Sequence, residues 1–140
     1  MNLLKKSTVL VVDDDEFTLN LIVQFLVGEG CVVYKADSGR QAIQWLECHR
    51  PDVLLTGVYM PGMNGLELAR WFTNVYPDTP FLFMSGGATG KDIAEGYELG
   101  ACKFLPKPFS REELFNSLTS ALNAARTHTL RQFSLPLDDD

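Results

Sequence analysis

Histidine and cysteine are scarce in this chain: two histidines and three cysteines occur in 140 residues. Cys31, Cys48 and Cys102 are scattered, odd in number and without Cys-x-x-Cys spacing, which argues against a disulfide framework and a zinc cluster. They read as small hydrophobes. His49 and His128 have no second ligand residue at a recognised spacing and read as surface residues. Positive charge is also short. Twelve Lys and Arg face 18 Asp and Glu, a net charge of -6, the wrong sign for a nucleic-acid surface. No apolar run approaches the ~20 residues of a membrane span. The N-terminal stretch carries Lys5 and Lys6, but Val9 to Val12 is too short for the apolar region of a signal peptide. The expected location is the cytoplasm.

What is present is an ordinary globular composition, 46% hydrophobic and 21% charged, in a length that suits one domain with a substantial core. Thr8 to Val12 is a short β-branched run, the pattern of a buried parallel strand. It stops at Asp13-Asp14-Asp15-Glu16, because four acids cannot continue a buried strand. Phe17 to Val27 reads as a helix, with Phe17, Leu21 and Phe25 in one apolar row and Ile22 and Leu26 in another. Asp15 is its expected N-cap, and Gly28 and Gly30 stop it. Cys31 to Tyr34 reads as a second strand. Ser38 caps a helix over Gln41 to His49, with Ala42, Ile43, Trp45 and Leu46 inward. Val53 to Thr56 is the third strand, followed by a Pro/Gly/Asn turn and a helix over Gly65 to Tyr76. Phe81 to Met84 is the fourth strand. Lys91 to Leu99 is a weaker helix, since an internal Gly96 costs about 0.5–1 kcal/mol relative to alanine, and it is expected to be mobile. Cys102 to Leu105 is the fifth strand. Ser110 and Glu113 form a capping-box pattern that opens a last helix along Leu114, Leu118, Ala121, Leu122 and Ala125. Residues 1–126 are expected to be the domain, and 127–140 a flexible tail or linker.

Five strand signals alternating with five helix signals predict an α/β fold, a doubly wound parallel sheet. Right-handed crossovers then place every strand's C-terminal end on one edge. Asp13 and Asp14, Gly57, Ser85 and Lys107 share that edge. Adjacent carboxylates at a strand end invite a cation, and Mg²⁺ is the hard-oxygen choice. Ser85 offers a hydroxyl and Lys107 a compact positive charge suited to a phosphoryl oxygen. These are the parts that stabilise a phosphoryl group. Singly, each has an ordinary explanation: an acid pair favours a helix dipole, Ser85-Gly86-Gly87 is a loop, and a lysine between prolines is a solvated turn.

Together these residues carry a resemblance. Val11-Val12-Asp13-Asp14, Pro51-Asp52 leading to Met60-Pro61-Gly62-Met63-Asn64-Gly65, Met84-Ser85-Gly86 and Lys107-Pro108-Phe109 resemble the receiver domain of two-component response regulators, over Lys5 to Ala125. The resemblance implies a flavodoxin-like (βα)5 sheet of order 2-1-3-4-5. It implies that Asp13 and Asp14 hold Mg²⁺ with the Tyr59 backbone carbonyl. It also implies that Ser85 senses the phosphoryl group, that Lys107 contacts it, that Lys107–Pro108 is a cis peptide, and that Phe104 is an aromatic switch coupled to the loop from Ser85 to Thr89. The implied partners are a histidine kinase or phosphotransfer protein, and a downstream protein on the face of the fourth helix, fifth strand and fifth helix, where a homodimer could also form. No enzymatic activity is expected.

The departure from the family is Gly57, which stands where the family has the aspartate that becomes the aspartyl phosphate. Glycine brings no nucleophile. Asp14 belongs to another strand and Asp52 lies upstream, so neither is a good substitute. Mg²⁺ is expected to bind weakly, and Lys107 is expected to lose its usual partner. Retention of Asp14, Ser85 and Lys107 points to a recent or engineered loss of the acceptor. The alternative is a natural pseudo-receiver that acts as a phosphorylation-independent interaction module. A third reading uses Ser85 to Gly90 as a phosphate loop for a small ligand, but that loop lacks the Gly-x-x-x-x-Gly-Lys-Ser/Thr pattern.

Overall fold

Residues 2–132 are described by the computed structural model of the chain. Five strands alternate with five helices: β1 (Thr8–Val12), α1 (Glu16–Gly28), β2 (Val32–Ala36), α2 (Gly39–Leu46), β3 (Val53–Gly57), α3 (Gly65–Val75), β4 (Phe81–Ser85), α4 (Gly90–Leu99), β5 (Phe104–Pro106) and α5 (Arg111–Gln132). The strands form one parallel sheet of order β2-β1-β3-β4-β5. This is the flavodoxin-like, doubly wound order expected above.

Strand pleating sorts the core. Val9 and Val11 of β1 face the side covered by α1 and α5, where they join Leu19, Ile22 and Leu26 of α1 and Leu114 and Leu118 of α5. Leu10 and Val12 face the other side, with Ala42 and Leu46 of α2 and Leu66, Leu68 and Phe72 of α3. Successive side chains of a strand point to opposite faces, so each face receives every second residue. β3 is buried along its whole length, as a central parallel strand covered on both faces should be. No helix among the described residues is long and apolar enough to cross a membrane.

The helix starts follow local chemistry. Ser38 Oγ accepts from Gln41 N at 3.1 Å. Asn64 and Glu67 exchange both bonds of a capping box, and so do Ser110 and Glu113.

Several boundaries and one face differ from the expectation. In α1 the row of Phe17 and Leu21 is outward, 76% and 38% exposed, while Leu19, Ile22 and Leu26 are buried. The helix is apolar on more than one side, so spacing alone admits two orientations; contact with β1 selects one. β2 reaches Ala36, because every residue of β1 pairs along it from Thr8↔Val32 to Val12↔Ala36. Cys31 N is instead bonded to Leu26 O. β5 begins at Phe104, opposite Phe83. α2 starts at Gly39 and ends at Leu46. The expected domain boundary at 126 falls inside α5, which runs on to Gln132. Alanine, leucine, arginine and glutamine propagate helices well, and neither Gly nor Pro interrupts residues 111–132. His128 is a surface residue, as expected, with its Nε2 3.6 Å from Asp78 Oδ1. The part of the expected tail from 133 onward lies outside the described residues.

Candidate functional site

The C-terminal edge of the sheet brings Asp13, Gly57, Ser85 and Lys107 together. Gly57 pairs beside Met84, and Ser85 beside Pro106. Lys107 N donates to Ser85 O at 2.9 Å. The Lys107–Pro108 peptide is cis. Asp13 continues the β1–β2 ladder, donating its N–H to Ala36 O at 3.1 Å.

Asp13 is 2% exposed. A buried carboxylate needs compensation, and both of its oxygens have it. Oδ1 accepts from Asp15 N at 2.9 Å, and Oδ2 accepts from Lys107 Nζ at 2.7 Å. With no acid at 57 to take up its ammonium, Lys107 pairs with Asp13. Asp14, next in the chain, is exposed. Asp15 caps α1; the hydrogen bond from Thr18 Oγ1, foremost, holds its carboxyl below the ordinary 3.8.

At Gly57 a Cβ would lie 3.1 Å from Asp13 Oδ2. The Asp13 carboxylate thus crowds the ground that a side chain at 57 would need. Behind Gly57 the β3–α3 loop folds back on itself. Gly62 turns it at φ +78°, and Gly65 N donates to Val58 O at 2.7 Å. A Cβ at Gly65 would fall 1.9 Å from the Gly57 carbonyl oxygen, so only glycine fits there.

Tyr59 is in the same loop. Its phenol donates to the Asp92 carboxylate and ties the loop to the first turn of α4. That bond raises the Tyr59 pKa above 10.0 and lowers that of Asp92 below 3.8. Thr89 caps α4 by accepting from Asp92 N at 3.1 Å. Ser85 Oγ accepts from Gly87 N at 3.2 Å. It borders a cavity of about 230 Å³ that Ile93, Phe104 and Pro106 also line. The Phe104 ring stacks on Phe83 with centroids 4.8 Å apart and abuts Gly96. Asp52 belongs to the opposite edge of the sheet, where its Oδ2 accepts from Thr8 N at 2.7 Å. The roles of Gly65, Gly96 and Asp92 were not singled out from sequence; Gly62 and Gly65, in the turn after Tyr59, gave the one local signal.

Mg²⁺ requires near-octahedral oxygen ligands with one or two carboxylates turned toward it. Here Asp13 is engaged at both oxygens, and Gly57 supplies no carboxylate. Among the described residues no three His, Cys, Asp or Glu side chains gather to hold a metal. That leaves Asp14 as the one implied carboxylate that is not engaged, a poor fit to the ion that the resemblance implies.

Comparison with known proteins places this geometry. Response regulator MprA of Mycobacterium bovis (strain BCG / Pasteur 1173P2) is 32% identical over 136 residues, covering 93% of this chain and 59% of that protein. The chain thus spans little more than half the length of that relative. The chemotaxis protein CheY4 of Vibrio cholerae has a structure that matches with a TM-score of 0.79 and 30% identity, over 83% of this chain and 98% of that one. A CheY-like receiver domain protein from Methanospirillum hungatei matches in fold, with a TM-score of 0.85 at 22% identity, over 89% of this chain and 99% of its own. The profile of the response regulator receiver domain matches residues 9–119. That match runs from Val9 in β1 into α5, and the chain belongs to the response regulator receiver domain family.

Proposed function

We propose that this receiver is closed to phosphoryl transfer at the position where its family accepts it, and that its output is protein contact. The observation that carries the reading is the neighbourhood of Gly57: no side chain at position 57, and the Asp13 carboxylate drawn up against the empty position. The parent logic is transfer from a histidine kinase or phosphotransfer protein in the cytoplasm to an aspartate at 57, with Ser85 and Lys107 receiving the phosphoryl oxygens. The chain acts as a signalling module rather than an enzyme. Retention of Asp14, Ser85 and Lys107 supports a recent or engineered loss of the acceptor.

Acetyl phosphate carrying radiolabel tests this directly. The chain as it stands takes no label, and Gly57→Asp restores labelling. Label on the unaltered chain would overturn the reading. Asp52 is a poor substitute, bonded to Thr8 at the far edge.

A second reading is a natural phosphorylation-independent module that binds a partner, or a second copy, through α4, β5 and α5. The Asp13–Lys107 ion pair favours it, because the site satisfies its own buried charge. Pull-downs that recover a partner equally with the chain and with Gly57→Asp support this second reading; recovery only with phosphorylated Gly57→Asp supports the first.

A further inference from the structure

We infer that Lys107 is the cation of this site: its ammonium neutralises Asp13 from within the chain, closes the acidic pocket to divalent cations and makes the fold independent of them. Asp13 and Lys107 are 94 positions apart. Asp13 follows β1 and Lys107 follows β5, and both β3 and β4 lie between those strands in the sheet. Their 2.7 Å contact reaches across the end of β3, at the position that carries no side chain. A Cβ at 57 would approach the same Oδ2 that the ammonium holds, to 3.1 Å. The glycine that removes a nucleophile thus also gives the ion pair its room.

Charge counting points the same way. Asp13, Asp14 and Lys107 carry one net negative charge among them. An aspartate at 57 would make that two, which a divalent ion balances; with glycine, a divalent ion overshoots. Asp14 is exposed, and both oxygens of Asp13 already accept a hydrogen bond, Oδ2 from Lys107 and Oδ1 from the Asp15 N–H. An Mg²⁺ ion drawing on Asp13 competes with Lys107 at Oδ2 and with the Asp15 N–H at Oδ1.

The inference deepens the reading of position 57, but its test reads metal binding rather than phosphorylation, so the two can fail separately. Mg²⁺ is titrated calorimetrically into the unaltered chain, Gly57→Asp and Lys107→Met, and each is melted with and without Mg²⁺ at matched ionic strength. The expected affinity of the unaltered chain is at least about tenfold weaker than that of Gly57→Asp, and its melting temperature does not move with Mg²⁺. Lys107→Met melts lower in the absence of Mg²⁺, because Asp13 is left without its cation, and recovers on addition, since a ligand bound only by the folded state stabilises it. Should Lys107→Met fail to fold, amide shifts in the unaltered chain decide: Asp13 and Asp14 stay in place as Mg²⁺ is added. Mg²⁺ binding by the unaltered chain as tight as in Gly57→Asp, movement of the Asp13 amide, or a folded Lys107→Met indifferent to Mg²⁺ would each overturn the inference.

Discussion

The Phe104 ring fills a notch that Gly96 leaves in α4. A Cβ at Gly96 would lie 2.5 Å from Cε2 and Cζ of Phe104 and 3.0 Å from Cε2 of Phe83. Gly96→Ala should gain about 1 kcal/mol of helix propensity yet lose more to overpacking, about 1–3 kcal/mol. Net destabilisation is expected in urea melts, together with a new environment for the Phe104 ring protons. In Phe104→Ala the same Gly96→Ala change should stabilise instead, and a double-mutant cycle measures the coupling. A Gly96→Ala variant more stable than the parent, with ring shifts unmoved, removes the notch as an explanation.

Asp52 lies at the edge of the sheet opposite Gly57. Asp52→Ala deletes the bond to Thr8 N at the start of β1 and should cost about 1 kcal/mol in denaturant stability. In a Gly57→Asp background it should leave acetyl phosphate labelling unchanged, because it acts at the opposite edge of the sheet. Loss of labelling on Asp52→Ala would refute that separation.

The Tyr59–Asp92 clasp should respond to pH at both ends. The Tyr59 pKa is raised above 10.0, because the bond to Asp92 favours the neutral phenol. Its contribution is full below 10.0 and disappears as pH rises through the raised value. The Asp92 pKa is lowered below 3.8, chiefly by the same bond. That contribution is full above 3.8 and disappears as pH falls through the lowered value. Ultraviolet titration of the tyrosines should lose its late-ionising phenol in Tyr59→Phe, and carboxyl carbon shifts should show Asp92 returning toward 3.8 in the same variant. An Asp92 titration identical in parent and Tyr59→Phe would exclude the clasp.

Two surface features should differ in weight. The Arg70–Glu95 pair joins α3 to α4 at 2.8 Å, but its side chains are 58% and 38% exposed. Glu95→Ala should change stability by no more than about 1 kcal/mol, since exposed ion pairs are screened. Asn64→Ala removes the capping oxygen from the start of α3 and should cost about 1 kcal/mol whatever the salt. Repeating both melts at high salt checks the distinction: the Glu95 effect shrinks and the Asn64 effect persists.

The sequence made the local features legible. Ser38 and Ser110 announce helix starts through the donors three residues ahead, and β1 announces its end through Asp13 to Glu16. The strand order came from resemblance, and the alternation of apolar runs supported the layers. Pairings distant in the chain left no such mark. Tyr59 and Asp92 are 33 apart, and Asp13 and Lys107 are 94 apart; only the folded sheet edge brings them within reach. Spacing alone does not choose between the two apolar rows of α1, because Phe17 and Leu21 are as apolar as the residues that face the sheet. Gly96 looked like a weak point when read within α4 alone, because the ring that needs its missing Cβ belongs to β5.

Gly65, pressed onto the Gly57 carbonyl, has a consequence for position 57. The main chain at 57 is set from behind by another stretch of main chain, with no help from any side chain at that position. The mould survives without its cast. A side chain that returned to 57 would inherit its aim from the backbone and would have only the Asp13 carboxylate to move aside. On the proposed reading, a few atoms on one residue separate this chain from a phosphorylatable one, and evolution or a bench chemist could cross that distance in a single step.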